Sequence, residues 1–278
     1  MSWTLLAASF GVQAGGAAQL QRELIDAQVA RFADQARDQG ETTGRVFFLG
    51  FAGYGEERVF AEEIKLAAQR VGEKYGSSMR SVLLINDRRD LASWPLASPS
   101  SLRYSLKALA RVMNPDEDVL FLALSSHGSP DATLDVSNTG MTPEVLSAGM
   151  LAGLLAESAI RWKVVVVSAC YSGTFVKPLA DEHTIVITAA AKNRPSFGCS
   201  DQRDLTYFGE AFYRDAMPDA TYLRAAFEAA RKEIAVREKD EEVKPSKPQA
   251  SFGPLMEEKL RGIEGALSPP HPLPHQGR

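Results

Sequence analysis

The chain has 278 residues, 45% of them hydrophobic and 24% charged, and its 31 Lys and Arg against 35 Asp and Glu leave a net charge of −4. Those values fit a soluble globular chain of one large or two small domains. They exclude disorder throughout and collagen-like repeats, and they provide no electrostatic reason to expect nucleic-acid binding. Two cysteines exclude a disulfide scaffold and a four-thiolate zinc site, and four histidines, two of them in a Pro-rich tail, leave little for a histidine metal cage.

From Met1 to Leu20 the chain carries no charge, and the first basic residue is Arg22. A secretory signal starts with positive charge. A membrane span needs about 20 strongly apolar residues, and Gln13, Gln19 and the Gly15-Gly16 pair weaken this stretch. Two readings stay open: a plain N-terminal tail or helix start, and the remnant of an upstream membrane or export region. Apolar residues at helical spacing then predict an amphipathic helix from Gln21 to Arg37.

Next comes an alternation of apolar runs and helical stripes. Arg45 to Phe51 reads as a buried strand, Glu56 to Tyr75 as a helix ended by Gly76, and Ser81 to Asn86 as a strand. A helix over Ser101 to Met113 and a strand over Asp118 to Leu124 follow. Thr142-Pro143-Glu144 reads as a helix start, with Thr as cap and Pro in the first turn. Strands at Trp162 to Val167 and Thr184 to Thr188 precede helices at Tyr207 to Ala216 and Thr221 to Val236. Near-continuous Val, Ile, Leu and Phe runs separated by helices indicate an α/β fold whose mostly parallel sheet is covered on both faces. The division expected is an N-terminal tail and helix over 1–43, one domain over 44–238, and a Pro-rich, disordered tail over 239–278, where a stray metal at His271 and His275 is not expected.

In such folds chemistry gathers at the C-terminal ends of the strands. The third strand ends in Ser125-Ser126-His127-Gly128-Ser129 and the fourth in Ser168-Ala169-Cys170-Tyr171-Ser172-Gly173. An imidazole and a thiol at the mouths of consecutive strands make a nucleophile and its proton-transfer partner. Either one alone reads as a buried or surface residue. Gly128 and Cys170 offer backbone N–H groups to an oxyanion. Other chemistries lack their residues. The arginine of a tyrosine-phosphatase loop is replaced by Val176, and no Gly-x-Ser-x-Gly, phosphate-loop or His-Glu-x-x-His motif is present. Gly50 to Gly55 is a glycine cluster without dinucleotide spacing, and a nucleotide binder is the weakest alternative.

Ser126-His127-Gly128, Ser168 to Gly173, and Thr188 through Cys199 and Asp201 to Gly209 occur in an order that resembles the legumain-type cysteine peptidases, the C13 family of the caspase-like clan. The likeness runs over roughly Gly44 to Ile234 and is closest to the bacterial branch. It implies a caspase-like three-layer sandwich, a His127–Cys170 dyad, a peptide or protein substrate and no cofactor or metal. It also implies a secretory or envelope setting, with an envelope or membrane component as a possible associate. Arg58 resembles the arginine that reads the P1 side chain, and Asp201 an acidic wall of the same pocket. Ser168 stands where legumain has a glutamate, a departure that weakens Asn specificity. The asparagine that legumain sets near its histidine has no clear match, and Glu56 falls there. Arg58 and Asp201 also read as an ordinary surface ion pair. Ser126 and Ser172 read as packing or capping residues, Cys199 as an inert core thiol, and His183 as a loop residue. Two further functions stay open: a transamidase of the same family, and a caspase-like module that binds without catalysing.

Overall fold

The computed structural model describes residues 4–33, 44–200 and 203–267. The sequence-predicted helix and tail residues 34–43 and 268–278, His271 and His275 included, lie outside the described residues.

Among the described residues, six strands form one sheet in the order β2-β1-β3-β7-β8-β9. They are β1 (Val46–Ala52), β2 (Ser81–Ile85), β3 (Val119–Ser125), β7 (Trp162–Ser168), β8 (Thr184–Thr188) and β9 (Gln249–Phe252). The first five run parallel, and β9 is antiparallel to β8. Every residue of β1 and β3 is buried, because both faces of the sheet are covered. Alternate side chains serve opposite layers. Phe48 and Phe121 pack with α2 (Arg58–Tyr75), a helix over 207–219 (α6), α7 (Leu223–Asp240) and α8 (Pro254–Leu267). Phe47 and Leu120 pack with α1 (Thr4–Ala33), α3 (Pro99–Val112), α4 (Ala148–Ser158) and α5 (Val176–Leu179).

The helix ends follow local chemistry. Gly76 closes α2 in the left-handed region at φ 66°, and Ser98 caps α3 by accepting from Ser101 N–H, with Pro99 in the first turn. In α1, Ile25 and Phe32 are fully buried, and the Gln28 amide bonds both the N–H and the C=O of Leu83 at 2.8 and 3.1 Å. That side chain stands in for a neighbouring strand on the open edge of β2. No described helix is long and apolar enough to cross a membrane.

Two sequence expectations are corrected. Thr142-Pro143-Glu144 does not open a helix: Glu144–Ser147 is a strand, β6, in a small antiparallel sheet with β5 (Thr133–Val136) and β4 (Gly128–Ser129). Leu146 and Leu134 face each other across that sheet and are fully buried, and the helix begins only at Ala148, capped by Ser147. Residues 239–267 are not a disordered tail. The buried Glu238 carboxylate accepts from Ser246 N–H at 3.0 Å, β9 then extends the main sheet, and α8 buries Met256, Leu260 and Ile263. Prolines persist there because Pro245 and Pro248 precede β9 and Pro254 sits in the first turn of α8.

Candidate active site

β3 and β7 pair in parallel with Ser125 opposite Ser168, and Ser126 N–H donates to Ser168 O at 3.2 Å. His127 and Cys170 therefore leave the sheet two residues beyond matched positions on neighbouring strands. Gly128 makes the close exit possible: a Cβ there would stand 2.2 Å from the Cys170 carbonyl oxygen. After Cys170 the chain turns sharply, with Tyr171 held in the left-handed region at φ 57°, a conformation that costs a non-glycine residue about 1–3 kcal/mol. Tyr171 N–H donates to Arg194 O at 2.8 Å and fixes that turn. The thiol itself is half-buried, accepts Ser196 N–H at 3.3 Å and reaches Ser196 O at 3.5 Å.

The imidazole is held from several sides. Ser126 Oγ donates to Asp135 O at 2.6 Å, and Asp135 N–H donates to His127 O at 3.0 Å, which ties the His127 backbone to the small sheet. The ring lies edge-on to Tyr54 and Phe60, with centroids 4.8 and 4.9 Å away. Its Nε2 is 2.9 Å from Glu57 Oε2, and both side chains are partly exposed, His127 at 32% and Glu57 at 27%.

Behind the strand ends lies a polar floor. Glu63, from the second turn of α2, is fully buried. Thr206 donates its hydroxyl to Glu63 Oε2 at 2.5 Å and accepts Gly209 N–H at 2.9 Å. The Ser168 and Ser125 hydroxyls face the same carboxyl, and burial pushes its pKa up despite those contacts. Gly209 must be glycine here, because a Cβ would stand 2.4 Å from the Glu63 carboxylate.

The sequence-singled residues now have places. His127, Gly128 and Cys170 come together at one rim. Ser168, expected in the substrate pocket, is only 2% exposed, and its Oγ lies 3.3 Å from Thr206 Oγ1, so it belongs to the floor behind the rim. The tight β3–β7 pairing draws it inward, where a buried hydroxyl finds polar partners. Arg58 forms an ion pair with Asp204, and Asp201 lies outside the described residues. Ser126 and Ser172 cap backbone groups, the latter by accepting Ala190 N–H at 3.0 Å. Burial pushes the Cys199 thiol up, with Cys170, Glu63 and Glu57 as further negative neighbours. His183 is a loop residue 3.0 Å from an Arg161 nitrogen. Among the described residues no cluster of three or more His, Cys, Asp or Glu side chains is arranged to hold a metal.

Three residues were not singled out in advance. Glu63 had a signal, since it breaks the apolar stripe of Phe60, Ile64, Ala67 and Val71. Glu57 had none, standing between the charged Glu56 and Arg58, and Ser196 sits in a loop without periodicity.

A family model described as the peptidase C13 family matches residues 103–258, more than half of the chain. None of the curated proteins matches the chain in sequence. Among solved structures, caspase-1 from Spodoptera frugiperda superposes with a TM-score of 0.53 over 77% of this chain and 91% of that one. The two are 11% identical, so the likeness is one of fold.

Proposed function

The chain belongs to the peptidase C13 family, and from that premise we propose that it is a cysteine-type endopeptidase working through Cys170 and His127. The observation that carries this reading is the register of β3 and β7, which sends His127-Gly128 and Cys170 out of matched strand ends with Gly128 packed on the Cys170 carbonyl.

In the proposed reaction the Cys170 thiolate attacks the scissile carbonyl carbon. The oxygen takes the negative charge and accepts from the N–H groups of Gly128 and Cys170. The carbonyl re-forms, the C–N bond breaks, and the His127 imidazolium gives its proton to the leaving amine. Neutral His127 then takes a proton from water. The hydroxide oxygen attacks the thioester and the acid leaves, restoring the thiol. An amine in place of water makes the same thioester a transamidation donor. Arg58 and Asp201 are the proposed P1 contacts through their likeness to the family pattern, with Asp204 steadying the Arg58 guanidinium.

The test is an active-site-directed thiol probe together with a P1-diverse peptide library, applied to the wild type and to Cys170→Ala. Labelling and cleavage by the wild type alone support the reading. Equal labelling of both proteins removes Cys170 as the reactive thiol. Absence of cleavage across the library leaves a caspase-like binding module.

A further inference from the structure

We infer that Glu57 is a positioning residue for His127: its carboxylate holds Nε2 and so leaves Nδ1 as the nitrogen that exchanges protons with Cys170 and the leaving amine. Three observations carry this. First, Glu57 occupies the N-cap position of α2 in an extended conformation, yet its side chain makes no capping hydrogen bond. A carboxylate there ordinarily turns back to the free N–H groups of the first turn. Second, Glu57 Oε2 is a buried atom that makes no hydrogen bond among the described residues, and His127 Nε2 stands 2.9 Å from it, within ion-pair distance. A desolvated carboxylate oxygen is costly unless a donor or a positive charge meets it. Third, Tyr54 and Phe60 fix the position of the ring, so a contact at one nitrogen decides which nitrogen remains for chemistry.

The device works on charge as well as on orientation. The carboxylate stands within ion-pair distance of Nε2. When the ring is cationic, the carboxylate is its ion-pair partner. The imidazolium is the form that keeps Cys170 a thiolate beside it and later protonates the amine. Among the described residues, the charged and titratable groups around the pair are Cys170 from the turn after β7, Cys199 and Asp204 from the segment after β8, and Tyr54, Arg58 and Glu63 from the segment around α2. Arg58 is paired with Asp204, and the positive end of α2 adds a further attraction for an ionised Glu57.

The inference rests on the peptidase reading for its chemistry, so the experiment has two readouts. Full-length wild type, Glu57→Gln and Glu57→Ala are alkylated with iodoacetamide, and Cys170 modification is followed by mass spectrometry. Peptide cleavage is measured on the same preparations. Gln keeps the size and removes the charge, so at about pH 6.5 alkylation of Cys170 should fall about tenfold, while at about pH 9.5, where a free thiol ionises unaided, the rates should converge. Glu57→Ala should lose about 10²-fold in kcat/KM. Wild-type rates at both pH values in both variants overturn the inference. An equal fall at both pH values reports a purely structural role and also overturns it. A pH-selective fall in Glu57→Gln, with a wild type that cleaves no peptide, upholds the positioning role and removes the peptidase reading instead.

Discussion

Glu57 and Glu63 leave the same stretch of chain six residues apart and enter different surroundings. Glu57 stands at the start of α2, partly exposed, with its carboxylate on the His127 ring. Glu63 is sealed beneath the strand ends, where Thr206, Ser168 and Ser125 surround it and burial pushes its pKa up. One carboxylate faces the imidazole that the proposed reaction uses for proton exchange. The other is driven toward its neutral form and braces the ends of β3 and β7. The difference teaches that rim and floor are separable: the rim sets the groups of the proposed reaction at partly exposed positions, and the floor rests on buried ones.

The sharpest test of that separation is at the rim. His127→Ala should lower kcat/KM by about 10²–10⁴-fold, the usual share of a general acid–base group. Its thermal midpoint should stay close to wild type, because the ring is 32% exposed and its loss opens no sealed cavity. A midpoint drop as large as that of a floor variant would break the comparison. Gly128→Ala joins the two regions. Its methyl would meet the Cys170 carbonyl at 2.2 Å, so cleavage should fall by about 10²-fold or more with a stability loss of about 1–3 kcal/mol, measured by activity and by urea unfolding.

At the floor, Glu63→Ala should cost about 2 kcal/mol in urea unfolding by leaving the Thr206 hydroxyl without its acceptor. Cys170 alkylation should change less than twofold. The pH dependence follows from the raised pKa. As pH climbs past the ordinary carboxylate value of 4.5, the unfolded chain releases the Glu63 proton and the folded protein retains it, so this group makes folding less favourable. Glu63→Gln does not titrate, and its midpoint relative to wild type should therefore rise between about pH 4 and pH 8. A relative midpoint that falls over that range would place an ionised carboxylate in the floor and dissolve the contrast. The smallest effect belongs to the surface. Arg58→Ala should cost less than about 1 kcal/mol of stability, since the arginine and Asp204 are both well exposed.

Much of this molecule was legible locally. Val119–Ser125 and Trp162–Ser168 announce themselves as buried parallel strands, and the structure sets His127 and Cys170 two residues beyond their matched ends. The helical stripe of α2 and its Gly76 stop were equally plain. What failed were places where a long-range partner outvotes a local rule. Thr142-Pro143 has the chemistry of a helix start, but Leu146 gains more by facing Leu134 across a hairpin. Residues 239–267 have the prolines and charges of a loose tail, but the open edge of β8 and an uncovered patch of core receive β9 and α8.

By itself the sequence determined the layered fold, the two strand ends beyond which His127 and Cys170 stand and the family to which the chain belongs, because hydrophobic periodicity and short motifs are properties of adjacent residues. The tertiary structure alone decided that Glu57 meets the ring, that Glu63 and Ser168 share a sealed polar floor, and that the C-terminal segment completes the sheet. Those outcomes depend on which distant groups compete for the same buried donors, acceptors and apolar surface, and that competition is settled only when the chain is packed.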